Sequence, residues 1–508
     1  MTDLHRPAFP ARSALSSIAD RALSRRGLFR GLGALAFSAA AVGAGLELAA
    51  PASAATTASG TLTIPTLLSG TDSDGTTVYE LTMQTGTTEI LSGVSSDTCG
   101  FNQDFLGPVI KVTQGDTVQM NITNNLDDVS TVHWHGAHIP PSVDGGPQNT
   151  IEAGGTLSPS FEINQGACTL WFHPHALETT SEQVASGLVG MLIVDDATTG
   201  AAALPNDYGV DQFPLIVQSL PVSSAGVIQP TTAGLLTSTT TFPVLVNGSN
   251  VGVDGTPTLE VSAGRVRFHI LNGSITDIIT ITRTDGEDLT QVATDAALLS
   301  APLSVSSLQL VGGERAEIVV DVTSSDSAIT LQATVEAGGA RGGSGTTSIL
   351  TLTSTATSAA DDLPSSLNTY TALDVSSPDA TRTIALSNSG NTMYINGVSG
   401  TSMTAMASSE IMTTIGATEV WTITNATGLT HSFHLHDVPF QVQTVDGEAP
   451  TDGWTEWKDT ILISPQSTTV IAMQFTDYAD DTYGYMLHCH NTIHEDEGMM
   501  AMLMVMSS

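Results

Sequence analysis

The chain has 508 residues and a formal net charge of -37 at pH 7, from 51 acidic side chains against 14 lysines and arginines. Such a surface repels nucleic acid and anionic membranes and attracts cations, although solubility alone would also account for it. Thr, Ser, Gly and Val are abundant and long stretches of helical periodicity are rare, so the composition predicts an all-β protein of about three domains.

Residues 1–54 have the organisation of an export signal. A basic region ending in Ser-Arg-Arg-Gly-Leu-Phe-Arg at 24–30 is followed by an apolar stretch at 31–46 and by small residues at 52–54. The paired arginines and their neighbours resemble the twin-arginine motif, and the apolar stretch is too short and too rich in Ala and Gly for stable membrane insertion. We therefore expect the twin-arginine translocase to export the protein, to a periplasm or out of the cell.

Strand-like alternation of apolar and polar residues, as in 117–122, recurs in three stretches after the signal. We predict domains at 55–197, 198–360 and 361–508, with a Ser/Thr/Ala-rich linker around Pro364 between the second and the third. Each stretch has the size of a Greek-key β-sandwich of seven or eight strands.

The histidines are strongly clustered. Of 13 in the chain, one precedes residue 55 and ten of the other twelve fall into four short groups. A lone histidine is usually an ordinary core or surface residue. Ordinary histidines would not be expected to form three His-x-His pairs and a fourth pair built around a cysteine. The groups are His133 and His135; His173 and His175; His431, His434 and His436; and His488, His490 and His494.

The spacing of these groups has a physical reason, because side chains alternate between the two faces of a strand. In His488-Cys489-His490 the two imidazoles are expected on one face and the thiolate on the other. Metals on opposite sides of that strand would be joined through a few covalent bonds. Elsewhere, His-x-His places two neutral nitrogen donors on one face, as a pair or triplet of copper ions requires.

Cys489 also belongs to a second pattern. His494 follows it by five residues and Met499 by ten, and two imidazoles, one thiolate and a weak axial thioether form a blue-copper electron-transfer site. The run from Met499 onward would also suit a plain buried strand. Zinc is the rival metal, but its structural sites close with four Cys or His ligands and would leave eight clustered histidines without a purpose.

Together the four motifs resemble those of the multicopper oxidases, in particular the bacterial three-domain branch of laccases, bilirubin oxidases and cuprous oxidases. The resemblance covers the whole mature chain and implies three consecutive cupredoxin-like Greek-key sandwiches, four copper ions and dioxygen as electron acceptor. In this family the middle domain supplies no ligand, which agrees with its single histidine, His269. The implied ligands are His431, Cys489, His494 and Met499 for type 1 copper, His133 and His434 for type 2, and His135, His173, His175, His436, His488 and His490 for the type 3 pair.

Two acids are candidate catalytic residues, because reduction of dioxygen to two waters consumes protons at a buried site. Asp144, in Val-Asp-Gly-Gly-Pro, and Glu495, directly after His494, match in motif the acids that family members place beside the oxygen site. Both would also be ordinary turn residues. Asp459 matches a recurrent family segment and is assigned a structural role, while His138 is expected at the surface and His269 in the core.

The cysteine count excludes a disulfide framework, since the chain holds three cysteines and one is Cys489. Cys99 and Cys168 fall in the same predicted domain and would be able to form one bridge in an oxidising compartment. The sequence leaves that pairing open.

The function predicted from these patterns is laccase-like. Four one-electron oxidations of a phenol or aromatic amine would be coupled to reduction of dioxygen to water. The main alternative is a metallo-oxidase of Cu(I), or of Fe(II) or Mn(II), although the long Met/His-rich insert of cuprous oxidases is missing. A relative that has lost copper and serves as a structural or binding partner is disfavoured by the complete ligand set. A two-domain nitrite reductase is disfavoured by length.

Overall fold

The computed structural model describes residues 60–197, 200–338 and 344–507. The predicted export signal at 1–54 lies outside these residues, so its recognition by a translocase stays a prediction. No helix in the described ranges combines the length and apolar character that a membrane crossing requires.

Strands dominate, and the all-β prediction is confirmed. Alternation is clear in the strand Thr117–Asn124, whose residues switch regularly between the interior and a more exposed face. The described helices are short: α1 (Thr180–Ala185), α2 (Thr232–Leu235), α3 (Met403–Ala407), α4 (Thr492–Asp496) and the 3-10 turns Gly200–Ala203 and Asp452–Thr455.

The first part of the chain forms two packed sheets, in which β1-β5-β11-β10-β7 face β2-β3-β6-β8, with β4 paired to β3 and β9 to β6. The strands are β1 (Leu67–Leu68), β2 (Thr71–Ser73), β3 (Thr76–Leu91), β4 (Val94–Phe101), β5 (Val109–Thr113), β6 (Thr117–Asn124), β7 (His133–His135), β8 (Thr156–Leu157), β9 (Ser160–Glu162), β10 (Cys168–His173) and β11 (Gly190–Asp195).

The middle part forms a seven-stranded sheet, β16-β15-β12-β18-β23-β20-β21, packed on a five-stranded one, β17-β25-β24-β19-β22, with β13 and β14 paired apart. The strands are β12 (Gln212–Ser219), β13 (Val222–Ser223), β14 (Thr240–Thr241), β15 (Val244–Val246), β16 (Ser249–Asn250), β17 (Thr258–Val261), β18 (Arg265–Asn272), β19 (Ile278–Arg283), β20 (Leu289–Ala293), β21 (Leu298–Val305), β22 (Leu308–Leu310), β23 (Arg315–Asp321), β24 (Ile329–Glu336) and β25 (Ser344–Ser354).

The last part packs β27-β26-β29-β34-β31-β32 on β28-β36-β35-β30-β33. The exact domain boundaries at 197/198 and 360/361 stay predictions. The strands are β26 (Ala380–Ser389), β27 (Thr392–Ile395), β28 (Ile411–Thr414), β29 (Thr418–Asn425), β30 (His431–Leu435), β31 (Phe440–Val445), β32 (Trp457–Lys458), β33 (Thr460–Ile463), β34 (Thr468–Gln474), β35 (Tyr485–Cys489) and β36 (Met500–Met506).

The turn after Asp144 is held tightly against β7. Gly145 has φ 85°, and a Cβ at this position would lie 1.7 Å from the carbonyl oxygen of Val132 and 2.8 Å from the Cα of His133. Only glycine fits both the backbone conformation and the space. This close approach fixes where Asp144 sits relative to the histidine strand.

We predict that Gly145→Ala destabilises the protein more than Gly154→Ala. Both glycines have positive φ, but a Cβ at Gly154 meets nothing within 4 Å. Each substitution costs ~1–2 kcal/mol for the left-handed backbone, and Gly145→Ala adds ~1–3 kcal/mol of overpacking. Urea denaturation of the metal-free proteins measures both, and equal losses would show that the turn moves freely away from β7.

Candidate metal centre

Strand pairing sorts the histidine motifs onto faces. On β30 and β35, Phe433 lies opposite Cys489 and His434 lies opposite His488. Directly opposed residues of an antiparallel pair project to the same side. Cys489 therefore points into the core of the last pair of sheets, and the histidines point away from it toward the first part of the chain.

The first cluster, called the cysteine cluster, consists of His431, Cys489, His494 and Met499. The Cys489 Sγ lies 3.5 Å from Nδ1 of His431 and 3.7 Å from Nδ1 of His494. All four residues are buried, and Met499 shares one hydrophobic core with Cys489. The backbone carbonyl of Met499 accepts a hydrogen bond from the Cys489 N–H at 3.0 Å. The structure thus brings the predicted thiol and imidazole donors together and places Met499 in the same core.

Burial sets the protonation of this cluster. It raises the pKa of the Cys489 thiol to about 12 and lowers the pKa of His431 to about 4 and of His494 to about 3. Both imidazoles are therefore neutral donors at pH 7, and the thiol needs a bound cation to become a thiolate there.

The second cluster, called the eight-histidine cluster, lies where the first and last parts of the chain meet. Its ligand nitrogens form trios within 4.8 Å of one another. Two pairs of rings stack, His133 on His436 with centroids 3.8 Å apart and His135 on His434 at 3.7 Å. The trios are His133, His135 and His434; His135, His173 and His490; and His175, His436 and His488.

The contacts of His436 and His488 with carboxylates leave two nitrogen lone pairs facing each other inside this cluster. His436 donates its Nδ1–H to the Asp144 carboxylate at 2.7 Å, which leaves a lone pair on Nε2. That Nε2 lies 3.2 Å from Nε2 of His488, whose own Nδ1 is 3.1 Å from Glu495. Two lone pairs at this distance repel each other, so the arrangement fits a cation between them.

Two further nitrogens have no partner at all. His133 and His434 each donate Nδ1–H to a backbone carbonyl, of Asp144 and Asp459 respectively, at 2.9 Å. Their Nε2 atoms are buried and make no hydrogen bond. Buried polar atoms are rarely left unpaired, so these nitrogens also fit a metal ion.

Burial favours the neutral form of four histidines of this cluster. It lowers the pKa of His135, His173, His434 and His436 well below the ordinary value, with a smaller contribution from the neighbouring histidines. Neutral imidazoles are suitable ligands for copper, and protonation of these four does not compete with a metal at pH 7.

Three carboxylates surround the eight-histidine cluster. Asp144 contacts His436 and lies 3.4 Å from Nδ1 of His133. Glu495 lies 3.2 Å from Nδ1 of His175 on its other side. Burial alone would raise the pKa of Glu495, but its contacts with His175 and His488 lower the pKa to about 2. Such outer carboxylates fix the orientation of metal-binding imidazoles.

The third carboxylate, Asp459, was assigned only a structural role from sequence, and its partners were missed. Its Oδ1 accepts a hydrogen bond from Thr460 at 2.7 Å, and Arg315 of the middle part contacts both of its oxygens. The segment around Asp459 carried a family signal. Arg315 carried none, because nothing near it in sequence resembles a ligand motif.

Among the histidines of the described ranges, two stay outside both clusters. His138 is half-buried and lies between Asp437 and Asp477, which together outweigh burial and raise its pKa. His269 is fully buried, hydrogen-bonded to Thr169 and Gln212, as expected of a core residue.

The cysteines carry no bridge. All three lie in the described part of the chain and are free thiols. Burial raises the pKa of Cys99 to about 11 and of Cys168 to about 12.

A cavity of about 340 Å³ opens beside the cysteine cluster, and His494 forms part of its wall. Glu497 in the wall accepts a hydrogen bond from Thr232 at 2.8 Å. The volume falls at the small end of the range for organic ligands. Its apolar wall residues are Leu235, Leu236, Met393, Leu429 and Ile493.

Comparison with known proteins agrees with this geometry. Two family models described as multicopper oxidase match residues 82–199 and 371–508. The chain is 30% identical over 439 residues to the multicopper oxidase mco of Staphylococcus aureus, covering 85% of this chain and 90% of that protein. It is also 31% identical over 408 residues to the cell division protein FtsP of Escherichia coli strain K12, covering 76% and 81% respectively.

A solved structure has the same fold. It is a laccase-like multicopper oxidase, CueO, from the lignin-degrading bacterium Ochrobactrum sp., with oxidase activity towards lignin model compounds and lignosulfonate. The TM-score is 0.77 at 29% identity, over 87% of this chain and 100% of that one. The cupredoxin-like prediction for the fold is thereby confirmed.

Proposed function

This chain belongs to the multicopper oxidase family, and on that premise we propose that it is an exported laccase-like oxidase. It takes single electrons from a phenolic or aromatic amine donor and reduces dioxygen to water, four electrons and four protons being consumed for two waters. The observation that carries this proposal is the set of opposed imidazole lone pairs, separated from the buried cysteine cluster by one strand.

We propose four copper ions. The cysteine cluster would hold one, and the unpaired Nε2 atoms of His133 and His434 support a second. Bound copper supplies the one-electron redox chemistry that amino-acid side chains lack. The two trios that would hold the remaining pair are His135, His173 and His490, and His175, His436 and His488.

The chain itself links the two clusters. Cys489 belongs to the cysteine cluster, and its two covalent neighbours His488 and His490 belong to the eight-histidine cluster. The strand therefore provides a route of few covalent bonds between the donor side and the oxygen side. Burial of every ligand keeps bulk water away from both.

Asp144 and Glu495 are proposed as the catalytic acids. Each lies in contact with two imidazoles of the eight-histidine cluster. Their carboxylates orient those imidazoles and would be able to relay protons to the centre that the imidazoles surround.

The cavity beside His494 supports an organic donor. Its apolar wall and its volume of about 340 Å³ suit one aromatic ring, and His494 provides the contact with the cysteine cluster. Outer-sphere electron transfer requires that contact and no covalent chemistry. The Ochrobactrum protein, similar over this chain's length, acts on lignin model compounds.

A metallo-oxidase of Cu(I), Fe(II) or Mn(II) is the alternative, favoured by the acidic charge. Among the described residues, every His/Cys/Asp/Glu group close enough to hold an ion belongs to the two clusters or to Asp144 beside them. The cavity itself offers one carboxylate, Glu497, and one thioether, Met393, besides His494. A purely structural or binding role would not need two buried clusters with their ligand atoms facing inward.

Cys489→Ser is expected to abolish the blue absorption and donor oxidation together, because serine offers no thiolate to the cysteine cluster. Cys168→Ser is the matched control, since Cys168 is equally buried but lies in the core of the first two sheets. Visible absorption and oxygen uptake with 2,6-dimethoxyphenol are measured on both copper-loaded proteins. A blue, active Cys489→Ser protein would refute the proposal.

Asp144→Asn and Glu495→Gln are expected to slow oxygen reduction by ~100-fold or more, the usual worth of a positioned proton donor. Reduction of the blue colour by donor without oxygen should keep its rate, because the cysteine cluster is unchanged. Stopped-flow absorption separates the two half-reactions. Glu456→Gln, which alters an acid bonded to Ser300 outside both clusters, is the control. Unimpaired reoxidation in both variants would remove these acids from the mechanism.

Gly428→Phe is expected to discriminate organic from metal donors. Gly428 lines the cavity, and a Cβ there meets nothing within 4 Å, so a phenyl group would fill the space beside His494. We expect kcat/KM for 2,6-dimethoxyphenol to fall by ~10-fold or more, as steric exclusion from a pocket does, while turnover of chelated Cu(I) changes little.

The control for the cavity variant is Gly345→Phe, on β25, where a Cβ also meets nothing within 4 Å. If the unmodified protein turns over Cu(I) far faster than the phenol, or if Gly428→Phe leaves phenol oxidation intact, the laccase-like assignment fails in favour of the metallo-oxidase.

A further inference from the structure

The guanidinium of Arg315, at the start of β23, is fully buried and pairs with Asp459 of the last part of the chain. Its two terminal nitrogens donate to the two carboxylate oxygens, each at 2.7 Å. This parallel, two-bond geometry is the strongest form of an arginine–carboxylate pair, and it fixes the plane of the carboxylate.

The remaining donors of Arg315 are also satisfied. Nε donates to the carbonyl of Thr169 at 2.8 Å, and the terminal nitrogens reach the carbonyls of Gly313 at 3.2 Å and Asp295 at 2.9 Å. With all five N–H groups engaged, the side chain has one available orientation. Arg315 therefore joins all three parts of the chain at one point.

The fixed carboxylate of Asp459 in turn orients the hydroxyl of Thr460. The Thr460 hydroxyl donates its single proton to Oδ1 of Asp459 at 2.7 Å. Because its one proton is already donated to Asp459, the hydroxyl can only accept any further hydrogen bond. It lies 3.1 Å from Nε2 of His135, so His135 must carry its proton on Nε2.

The position of that proton decides which nitrogen of His135 has a free lone pair with which to bind a metal. With Nε2 protonated, the lone pair sits on Nδ1, and Nδ1 is the buried atom without any hydrogen-bond partner. His434 is fixed by the same segment, because its Nδ1–H donates to the Asp459 backbone carbonyl and leaves Nε2 free. Outer hydrogen bonds of this kind set the tautomer of metal-binding imidazoles.

We propose that Arg315 is a positioning residue for copper binding: through Asp459 and Thr460 it holds His135 and His434 in the tautomers that present lone pairs to the metal. This inference rests on the proposed function. Arg315 belongs to the middle part of the chain, whose described residues supply none of the proposed metal ligands. The middle part thereby contributes to the metal centre by orienting its ligands.

A second buried arginine provides a matched control. Arg267, on the neighbouring strand β18, is as buried as Arg315 and donates Nε–H to Glu317 at 2.7 Å. Glu317 in turn accepts from Thr169, which contacts His269. This network has the same chemistry but ends at a histidine outside both clusters.

The surroundings of Arg315 permit chemical rescue. A cavity of about 480 Å³ between the middle and last parts is lined by Arg315, Glu314 and Lys458, among others. Removal of the arginine side chain would extend this cavity toward Asp459. A small planar cation such as methylguanidinium would then be able to reach the carboxylate and restore its two hydrogen bonds.

The experiment compares Arg315→Ala, Arg315→Lys and Arg267→Ala after copper loading. The readouts are copper content, blue absorption and the EPR signal of the copper outside the blue site. We expect Arg315→Ala to stay blue but to lose half or more of that EPR signal, and millimolar methylguanidinium, but not sodium, to restore it. Arg267→Ala should keep both signals, although its melting temperature falls.

Three results would overturn the inference: a normal second EPR signal in Arg315→Ala, equal loss in the two alanine variants, or loss that methylguanidinium does not reverse. If Arg315→Ala fails to fold, Arg315→Lys decides. Lysine keeps the charge but cannot make the two parallel bonds, so a normal EPR signal in that variant would also refute the role. Failure of the proposed function is distinct. Without a copper centre the unmodified protein would bind no copper and show no blue colour, whereas a different electron donor would change the donor kinetics of the unmodified protein and leave both copper signals present.

Discussion

The strand β35 imposes the constraint on which the rest of this structure depends. Because successive side chains point to opposite faces, Cys489 is buried in one core while His488 points into the contact with the first part of the chain. Two chemically different clusters are thereby kept one strand apart. Any change of register would exchange the thiol for an imidazole and destroy both clusters at once.

Burying so many imidazoles with lone pairs turned inward is unfavourable for the folded chain alone. Unpaired nitrogens on His133 and His434 and the opposed nitrogens of His436 and His488 are costs that a bound cation would offset. Asp144, Glu495 and Asp459 hold the outer nitrogens in place, so the lone pairs cannot turn away. The site is therefore preorganised for metal at the expense of the metal-free protein.

The fold is compatible with more than one role, since relatives of similar identity are named as oxidases and as cell division proteins. What supports an oxidase here is local, namely the complete ligand set and a cavity that reaches His494. The middle part contributes through Arg315 and through Thr232 and Leu235 of the cavity wall. It connects the ligand-bearing parts and shapes the approach to the cysteine cluster.

The sequence by itself determined the all-β class, the family and the convergence of the ligand residues, because His-x-His and His-Cys-His spacing has a fixed meaning on a strand of period two. Asp144 and Glu495 were proposed because their segments resemble those that carry acids in the family, and Glu495 directly follows a ligand histidine. Only the tertiary structure decided that Arg315 and Thr460 support the histidines and that a cavity opens at His494. The Arg315–Asp459 and His135–Thr460 contacts join residues 144 and 325 positions apart, and no local pattern encodes a contact between surfaces that meet only after folding.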